Sequence, residues 1–350
     1  MPGQNKYRVI QWATGNIGSR AMRRVIEHPD MELVGLWVSS PGKVGIDAGA
    51  LAGLADTGIK ATNSVDEIVA LDADCVLYMP QGCDWDVVCR LLASGKNVVS
   101  TRGEFHNPAM MAPDKRAMIE AACAAGGTSI HSTGSSPGFS TEVLPLALLS
   151  IVRRLDCLTI DEYADCSSRD SPDMLFGIMG FGKPMGPMNP AQVEHLKHDF
   201  GNAMGQTADA LGLSFDEVRG FGEFSAANHD IHIAAGVVPA GTVGAMRTTI
   251  EGMHKGRAVL RFRCNWFITT DIADAGWDLR DSGWRFVVEG DTPLKVDISF
   301  PVAPEDYAEF TPGLTAHRPV NAIPVVCAAP PGIRTTADLP QVIARFGGIG

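Results

Sequence analysis

The amino-acid sequence predicts an α/β protein with an N-terminal parallel sheet, followed by a second, α+β domain built on a mostly antiparallel sheet. Two observations on the strands support this fold class. The early strand candidates are short and apolar throughout, as expected of parallel strands buried on both faces. The later candidates are longer and alternate between apolar and polar residues, which is typical of a half-solvated antiparallel sheet.

The first domain is predicted over residues 1–140, where short strands alternate with helices. Its first strand ends at Trp12 and leads through a glycine-bearing turn into a helix over 16–28, which ends before Pro29. The other strands are predicted at 31–38, 74–78, 97–100 and 128–131, and the other helices at 85–94 and 110–125. Because such a sheet binds ligands at the carboxyl ends of its strands, functional residues are expected in the loops that follow them.

The second domain is predicted over residues 141–310. It opens with a helix at 142–153, and a longer helix runs from the capping Asn189 and first-turn Pro190 to about residue 211. Its alternating strands are predicted at 156–166, 229–235, 243–251, 258–270, 284–289 and 294–300.

Two further stretches differ in composition from the domains around them. The Gly-, Pro- and Met-rich run 176–188 is predicted to be a mobile loop, with a simple linker as the alternative. The tail 311–350 is apolar and rich in proline, and it is predicted to pack back on the first domain.

Charge and composition exclude several classes of function. The 350-residue chain has a net charge of −11 and no run of lysine and arginine, so nucleic acid is not an expected partner. No stretch approaches the roughly 20 apolar residues of a membrane span, and no apolar signal segment precedes the first strand. We therefore expect a cytoplasmic protein without a membrane partner that acts on small molecules.

The cysteines and histidines do not form a metal motif. The eight cysteines are scattered without a C-x-x-C pair, so they are expected to be reduced and mostly buried. Two histidine pairs, His195 with His198 and His229 with His232, have i,i+3 spacing, but neither lies in a motif such as H-E-x-x-H. No metal site is predicted.

The turn after the first strand predicts a dinucleotide site. Gly15 and Gly18 hold the second and third glycine positions of a G-x-G-x-x-G pattern, and Ala13 replaces the first. The pyrophosphate would lie on the N-terminus of the helix that follows, where backbone N–H groups and the helix dipole favour an anion. The residues predicted to contact it are Ala13, Thr14, Gly15, Asn16, Ile17 and Gly18. The alternative is a plain strand–turn–helix of another α/β protein.

The end of the second strand favours NADP(H) over NAD(H). An NAD-selective site commonly carries an acidic residue there, but this chain has Ser39 and Ser40, followed by Lys43. Two hydroxyl groups and a cation can bind a 2′-phosphate. The alternative is that Lys43 is a solvated loop charge and that either cofactor binds. The loop after the next strand is expected to line the adenosine and nicotinamide ribose with Met79, Pro80 and Gln81.

Glu104 is the predicted catalytic residue. It follows the strand 97–100, where the nicotinamide ring is expected, and Thr101 and Gly103 beside it are predicted cofactor contacts. A partly desolvated glutamate there would have a raised pKa and act as a base near neutral pH, or would hold an ammonium or iminium cation. The alternative is a solvated loop residue or a helix-capping acid.

The substrate pocket is predicted from residues in both domains. The glycine-rich loop 132–139 contributes Ser136 and the apolar wall Phe139, with a simple exit turn as the alternative. Phe176, Met179 and Trp266 are candidate walls from the second domain, and each is also a candidate core residue.

With these motifs in this order, the chain resembles members of the dihydrodipicolinate reductase-like superfamily. Within it, the chain is most similar to the 2,4-diaminopentanoate dehydrogenases and the related native amine dehydrogenases. The segments that carry the resemblance are 13–18, 43–49, 102–104, 133–139, 319–324 and 331–333. The resemblance implies a Rossmann domain and an α+β domain that forms a homodimer, with the Glu104 carboxylate acting in amine chemistry.

Two departures from the family patterns narrow the expected substrate. Dihydrodipicolinate reductases use a His-His-x-x-Lys signature, whereas no lysine follows His131 here until Lys183, which argues against lysine biosynthesis. Ser136 replaces the asparagine that usually precedes Pro-Gly-Phe, so a less polar amine or ketone is expected.

The predicted function is an NAD(P)-dependent amine dehydrogenase, which in reverse aminates a small ketone or aldehyde with ammonia. Glu104 would deprotonate ammonium or the carbinolamine and stabilise the iminium. One alternative is an NAD(P)-dependent reductase of a carbonyl or C=N bond that does not use ammonia. The other is a dinucleotide-binding sensor without catalytic activity.

Overall fold

A computed structural model describes residues 6–273, 276–303 and 306–344 of the chain. It divides into two compact units, one formed by Met1–Phe139 with Thr311–Gly350 and the other by Ser140–Phe310.

The strands and helices are numbered in chain order. The strands are β1 (Tyr7–Trp12), β2 (Met31–Trp37), β3 (Cys75–Tyr78), β4 (Asn97–Ser100), β5 (Ser129–Ser132), β6 (Leu155–Asp165), β7 (Glu217–Ala226), β8 (Ile231–Ile233), β9 (Gly236–Val238), β10 (Val243–His254), β11 (Arg257–Phe267), β12 (Gly283–Gly290), β13 (Leu294–Ser299) and β14 (Gly332–Arg334). The helices are α1 (Asn16–Ile26), α2 (Ala48–Leu51), α3 (Val65–Ala70), α4 (Trp85–Ala93), α5 (Pro113–Gly126), α6 (Leu144–Leu149), α7 (Pro190–Ala210) and α8 (Tyr307–Cys327).

The first unit is built on a parallel sheet with the strand order β14-β5-β4-β3-β1-β2 in its described part. Its strands are almost entirely buried, in agreement with their continuous apolar sequences. Local signals set the helix ends: the Asp84 side chain accepts a hydrogen bond from the Val87 N–H at the start of α4, and Gly127 ends α5 with a φ of +68°. Because its described strand pairs are all parallel, the carboxyl ends of the strands lie at one edge of the sheet.

The C-terminal segment completes this unit. Buried residues of α8 join the apolar core that also contains Val9, Met22 and Leu77; they are Ala316, Val320, Ala322, Ile323 and Val326. Beyond α8, β14 pairs in parallel with β5 and adds an outer strand to the sheet. Three prolines lie inside α8, at positions 312, 319 and 324.

The second unit is built on a mixed sheet with the order β13-β12-β6-β11-β10-β7 in its described part. Only the β6–β11 pairing is parallel among the described pairs of this sheet. Helix α7 covers one face, where Phe200 stacks on Phe262 with ring centroids 4.2 Å apart. A parallel sheet in one unit and a mostly antiparallel sheet in the other confirm the predicted fold class.

The face of this sheet opposite α7 carries alternating charges, and we call it the charged face. Arg263 donates to both carboxylate oxygens of Asp161, at 2.5 and 2.6 Å, and Arg285 lies opposite Asp161 in the strand register. Arg285 in turn donates to Asp297 at 2.6 and 3.1 Å. The Asp161 side chain is only 2% exposed. The charged face therefore contains buried ion pairs, and beside them a small apolar cluster of Tyr163, Ala245 and Phe267.

Several predicted elements need correction. The run 176–188 is not one irregular loop, because a helical segment covers Asp173–Met179 and the Phe181 side chain is fully buried in the core. The strand predicted at 229–235 is a short hairpin of β8 and β9. The helix predicted at 142–153 ends earlier, at Leu149. The short helices α2 and α3, the strand β7 and the helix α8 were not predicted.

No helix within the described residues is both long and apolar enough to cross a membrane. The cytoplasmic location stays a prediction.

Candidate active site

The turn between β1 and α1 has the geometry of a close strand-to-helix connection. Ala13 stands where the first glycine of the pattern is expected and has a φ of +75°, a left-handed conformation that few non-glycine residues adopt. Its N–H donates to the Trp37 carbonyl at 2.9 Å, and its carbonyl accepts from Gln11 Nε2 at 2.9 Å. A Cβ on Gly18 would lie 2.2 Å from the Ala13 carbonyl oxygen, so only glycine permits this approach.

The N-terminus of α1 fits the pyrophosphate of a dinucleotide. Gly15 is the N-cap residue, no side chain caps the first N–H groups, and the first turn contains no acidic residue. A Cβ built on Gly15 meets no atom within 4 Å, so a ligand has room to approach the backbone. Gly15 and Asn16 are exposed, while Thr14 and Ile17 are half-buried. Uncapped donors at the positive end of a helix dipole suit an anionic group.

Lys43 contacts this turn directly. Its Nζ lies 3.0 Å from Thr14 Oγ1 and 3.2 Å from the Thr14 carbonyl oxygen. A short turn over Pro41–Lys43 brings it there, and Ser39 and Ser40 are exposed just before that turn. The structure therefore brings one cation and two hydroxyl-bearing residues to the end of β2, beside the glycine turn.

Asp47 orders the loop that follows Lys43. Its buried carboxylate accepts from the backbone N–H groups of Gly49, Thr57 and Gly58 at 2.8 to 2.9 Å, and Lys60 Nζ lies 3.6 Å away. The hydrogen bonds, with that of the Thr57 N–H the largest contribution, lower the pKa of Asp47 to about 2. Asp47 is thus an ionised anchor for the segment between β2 and α3.

The loop after β3 lies beside the glycine turn, and its role as a cofactor contact stays a prediction. The Met79 N–H donates to the Trp12 carbonyl at 3.2 Å, which brings this loop next to the glycine turn. The Met79 side chain is buried in the apolar core. Pro80 is half-buried and Gln81 is exposed.

Glu104 lies just past the carboxyl end of β4 and is paired with Arg102. Arg102 Nε donates to Glu104 Oε2 at 3.1 Å, and Arg102 Nη2 donates to Glu104 Oε1 at 2.8 Å. Arg102 Nη1 also donates to the Gln81 carbonyl at 2.5 Å. The side chains of Arg102 and Glu104 are 21% and 18% exposed, so the ion pair is accessible but mostly enclosed. Thr101 is half-buried and Gly103 is buried.

Two weakly acidic groups lie near this ion pair. Burial raises the pKa of the Tyr78 hydroxyl to about 12, and that hydroxyl accepts a hydrogen bond from the Asp84 N–H at 2.9 Å. Burial, followed by the negative charge of Glu104, raises the pKa of the Cys83 thiol to about 12. Both groups are therefore neutral at physiological pH.

The end of β5 and the loop after it form hydrogen bonds with the segment that carries Glu104. Ser132 Oγ donates to the Arg102 carbonyl at 2.7 Å, and the Thr133 N–H donates to the Ser100 carbonyl at 2.9 Å. Arg318 Nε on α8 donates to Thr133 Oγ1 at 2.8 Å. The predicted pocket residues Ser136 and Phe139 follow in this same loop of the first unit, and both are half-buried.

The predicted pocket residues of the second unit lie in one apolar cluster. Met179 is a buried member of it, and Phe176 and Trp266 are partly buried and pack against it. The Trp266 indole N–H donates to Glu162 Oε1 at 3.1 Å. The structure thus brings these three residues together, and places a carboxylate beside one of them.

Sequence reasoning missed charged residues in each unit, Arg102 and Arg318 in the first and Glu162 in the second. Arg102 was noted only as a neighbour of Glu104, because the sequence does not show that a 3-10 turn over Gly103–Phe105 brings the two side chains together. Arg318 lies on α8, a helix that was not predicted because its sequence contains three internal prolines. Glu162 lies on an alternating strand, and nothing in its sequence neighbourhood marks it as more than a surface residue. No group of three or more histidine, cysteine, aspartate or glutamate residues in the described part of the chain is placed to hold a metal ion.

Comparisons of the sequence with known proteins identify related enzymes. Residues 193–349 match a family described as the 2,4-diaminopentanoate dehydrogenase C-terminal domain. An amine dehydrogenase of Streptomyces virginiae is 30% identical over 362 residues, which cover 97% of this chain and 98% of that protein.

Comparisons of the fold agree with this result. The structure of an amine dehydrogenase from Mycobacterium smegmatis superposes with a TM-score of 0.76 at 19% identity and covers 98% of both chains. A probable dehydrogenase from Thermotoga maritima has the same fold, with a TM-score of 0.56 at 13% identity over 95% of this chain and 92% of that one. The family and the enzyme class predicted from the motifs are confirmed by the nearly full-length sequence match: this chain belongs to the amine dehydrogenase family.

Proposed function

We propose that the chain is an NAD(P)-dependent amine dehydrogenase that converts a small amine to a ketone or aldehyde and ammonia, and carries out the reverse reductive amination. The observation that carries the proposal is the Arg102–Glu104 ion pair at the carboxyl end of β4, on the sheet whose first turn fits a dinucleotide. The Streptomyces virginiae relative, named an amine dehydrogenase, supports the same reaction class.

The cofactor would be held by the residues of the first unit. The uncapped N-terminus of α1 at Gly15 would bind the pyrophosphate, and Gly18 would keep the helix close to the turn. A bound nicotinamide dinucleotide supplies hydride transfer at C4 of its ring. The protein supplies orientation and charge.

Glu104 is the proposed catalytic residue. Each carboxylate oxygen accepts a hydrogen bond from Arg102, and we propose this carboxylate as the proton acceptor for the ammonium ion or the carbinolamine. Two charge-assisted hydrogen bonds limit rotation of the carboxylate and stabilise its ionised form. In that form Glu104 takes a proton from ammonium. The resulting carboxylic acid gives that proton to the departing hydroxyl group of the carbinolamine, water leaves, and the regenerated carboxylate stabilises the iminium cation.

We propose that NADP(H) binds more tightly than NAD(H). Lys43 already contacts Thr14 in the glycine turn, and Ser39 and Ser40 are exposed at the end of β2, with no acidic residue between positions 38 and 46. A 2′-phosphate there would gain a charge-assisted hydrogen bond from Lys43, and no carboxylate would repel it. The exposure of both serines leaves them accessible to such a ligand.

We also propose a homodimer formed through the sheet of the second unit. Alternating arginine and carboxylate residues on the charged face are self-complementary, as a twofold interface between identical chains requires. Phe221 on the edge strand β7 is 45% exposed and lies opposite Thr249, on the same face. An exposed aromatic residue beside a partly buried charge network is typical of a surface that a second chain covers.

A reductive amination assay tests the proposed function. Purified protein with NADPH and a series of small ketones and aldehydes should consume cofactor in the presence of ammonium and much less in its absence. Equal consumption with and without ammonium would instead identify a carbonyl reductase. No consumption with any substrate, together with tight cofactor binding, would identify a protein without this catalytic activity.

A further inference from the structure

Glu162 is a carboxylate on the second sheet whose described hydrogen-bond partners are both neutral. Trp266 Nε1 donates to Oε1 at 3.1 Å, and Trp284 Nε1 donates to Oε2 at 3.1 Å. Across the described residues, no lysine, arginine or histidine forms an ion pair with it. Its negative charge, unlike those of Asp161 and Glu251 on the charged face, is therefore not compensated by a bonded cation.

The surroundings of Glu162 are apolar and aromatic. It lies on the α7 side of β6, in the register row that joins Trp284 on β12 to Cys264 on β11. Trp284 also packs edge-on against Phe300, with centroids 5.3 Å apart. Burial, followed by the charge of Glu162, raises the pKa of the Cys264 thiol. Enclosing a carboxylate among such groups costs free energy unless a cation pairs with it.

The two indole groups orient the carboxylate but fill only part of its hydrogen-bonding capacity. An ionised carboxylate has about four acceptor positions, and the two indole N–H groups occupy one on each oxygen. Glu162 is half-buried, so the remaining positions are accessible to a small ligand. Trp266 belongs to the same cluster as Phe176 and Met179, which would provide an apolar surface for an alkyl chain.

We propose that Glu162, held by Trp266 and Trp284, is a binding site for the ammonium group of a small alkylamine. A metal ion is a poor candidate, because no three ligating side chains converge within the described residues. An organic ammonium needs only one carboxylate and apolar surface for its chain. The choice of ligand rests on the proposed amine chemistry, but binding at Glu162 requires neither cofactor nor turnover.

The test uses the indole N–H resonances of the full-length protein, labelled with nitrogen-15. The chain has six tryptophans, so each indole signal can be assigned with single Trp→Phe variants. The protein is titrated with n-propylammonium chloride at constant ionic strength, with potassium chloride and 1-propanol as reference titrations. The signals of Trp266 and Trp284 should move saturably with propylammonium alone, while those of Trp12, Trp37, Trp85 and Trp277 stay in place.

Glu162→Gln should weaken this binding at least tenfold, because it keeps the size of the side chain and removes its charge. The matched control is Glu289→Gln, which neutralises an exposed carboxylate on the neighbouring strand and should leave the titration unchanged. If Glu162→Gln does not fold, Trp284→Phe offers a second variant that keeps the carboxylate, and the Trp266 signal should still move.

Two results would overturn the proposal: no saturable movement of either indole signal, or an unchanged titration in Glu162→Gln. Failure of the proposed function gives a different pattern. In Glu104→Gln the Trp266 and Trp284 signals should still move with propylammonium, because these two indoles report on Glu162, and the turnover of that variant tests the proposed function separately.

Discussion

The Arg102 guanidinium donates two hydrogen bonds to the Glu104 carboxylate, from Nε to Oε2 at 3.1 Å and from Nη2 to Oε1 at 2.8 Å. Arg102 is itself fixed, because its Nη1 donates to the Gln81 carbonyl and its own carbonyl accepts from Ser132 Oγ. The carboxylate is therefore positioned by the loops after β3 and β4 and by the last residue of the adjacent strand β5. Such positioning is what a proton-transferring group requires, since small displacements cost rate.

The first prediction concerns Arg102→Lys. A lysine keeps the charge but cannot form the two-pronged contact with Glu104, so the carboxylate would lose its fixed orientation. We expect kcat for reductive amination to fall by about tenfold to a hundredfold, the scale of a misplaced reacting group, while the melting temperature changes little. Steady-state kinetics and thermal unfolding measure the two effects. The matched control is Arg116→Lys, in the exposed Arg116–Glu120 pair on α5, which should change neither kcat nor the melting temperature.

The second prediction concerns Lys43→Ala. Loss of one charge-assisted hydrogen bond, worth about 1.5–3 kcal/mol, should weaken NADP binding by roughly tenfold to a hundredfold. NAD binding should change far less, because NAD carries no 2′-phosphate. Calorimetric titration of both cofactors gives the two Kd values, with Lys6→Ala as a control for an exposed lysine. Tighter binding of NAD than of NADP by the parent protein would contradict the cofactor preference.

The third prediction concerns the pH dependence of stability. Folding lowers the pKa of Asp47 from 3.8 to about 2, so the ionised form stabilises the folded protein above pH 3.8. This contribution is lost as the pH falls from 3.8 towards about 2. Asp47→Asn should therefore melt at a lower temperature than the parent protein at neutral pH, and the difference should shrink on acidification through that window.

Melting curves recorded from neutral to acidic pH measure this effect. The control is Asp72→Asn, whose side chain is 94% exposed and should contribute little at any pH. A difference between the Asp47→Asn and parent proteins that stays constant with pH would mean that the ionisation of Asp47 does not stabilise the fold.

The fourth prediction concerns assembly. Phe221→Asp places a charge on the exposed aromatic position beside the charged face and should convert a dimer to a monomer. Light scattering after size-exclusion chromatography reports the mass. Val237→Asp, at another exposed apolar position, which is 47% exposed, should leave the mass unchanged. A parent protein that is monomeric at micromolar concentration would refute the homodimer.

The elements that sequence reasoning missed have physical explanations. On β7 the positions that face α7 are Gly220 and Gly222, where a Cβ would lie 3.0 Å from Val193 and 2.2 Å from Met188. Close packing on α7 therefore replaces apolar residues with glycine and removes the alternation that marks a strand. On α8 the three internal prolines predict a break, but tertiary packing of residues such as Val320 and Ile323 keeps the segment helical.

The parts of the candidate site that lie within one short motif could be predicted from the sequence. The glycine turn and the position of Glu104 after β4 follow from local sequence, because both are set by strand ends. The partners Arg318 and Glu162 act through contacts far apart in the chain, such as that of Trp266 with a residue 104 positions earlier. Periodicity and motifs carry no information about such contacts.

The most direct test of the account is Glu104→Gln. The substitution keeps the size of the side chain and one hydrogen-bond acceptor for Arg102, and it removes the charge and the base. Cofactor affinity and melting temperature should change little, while single-turnover reductive amination with ammonia should slow by roughly a hundredfold or more, the scale of a lost general base. A glutamine variant that keeps near-parent turnover from neutral to alkaline pH would show that Glu104 is not the catalytic carboxylate.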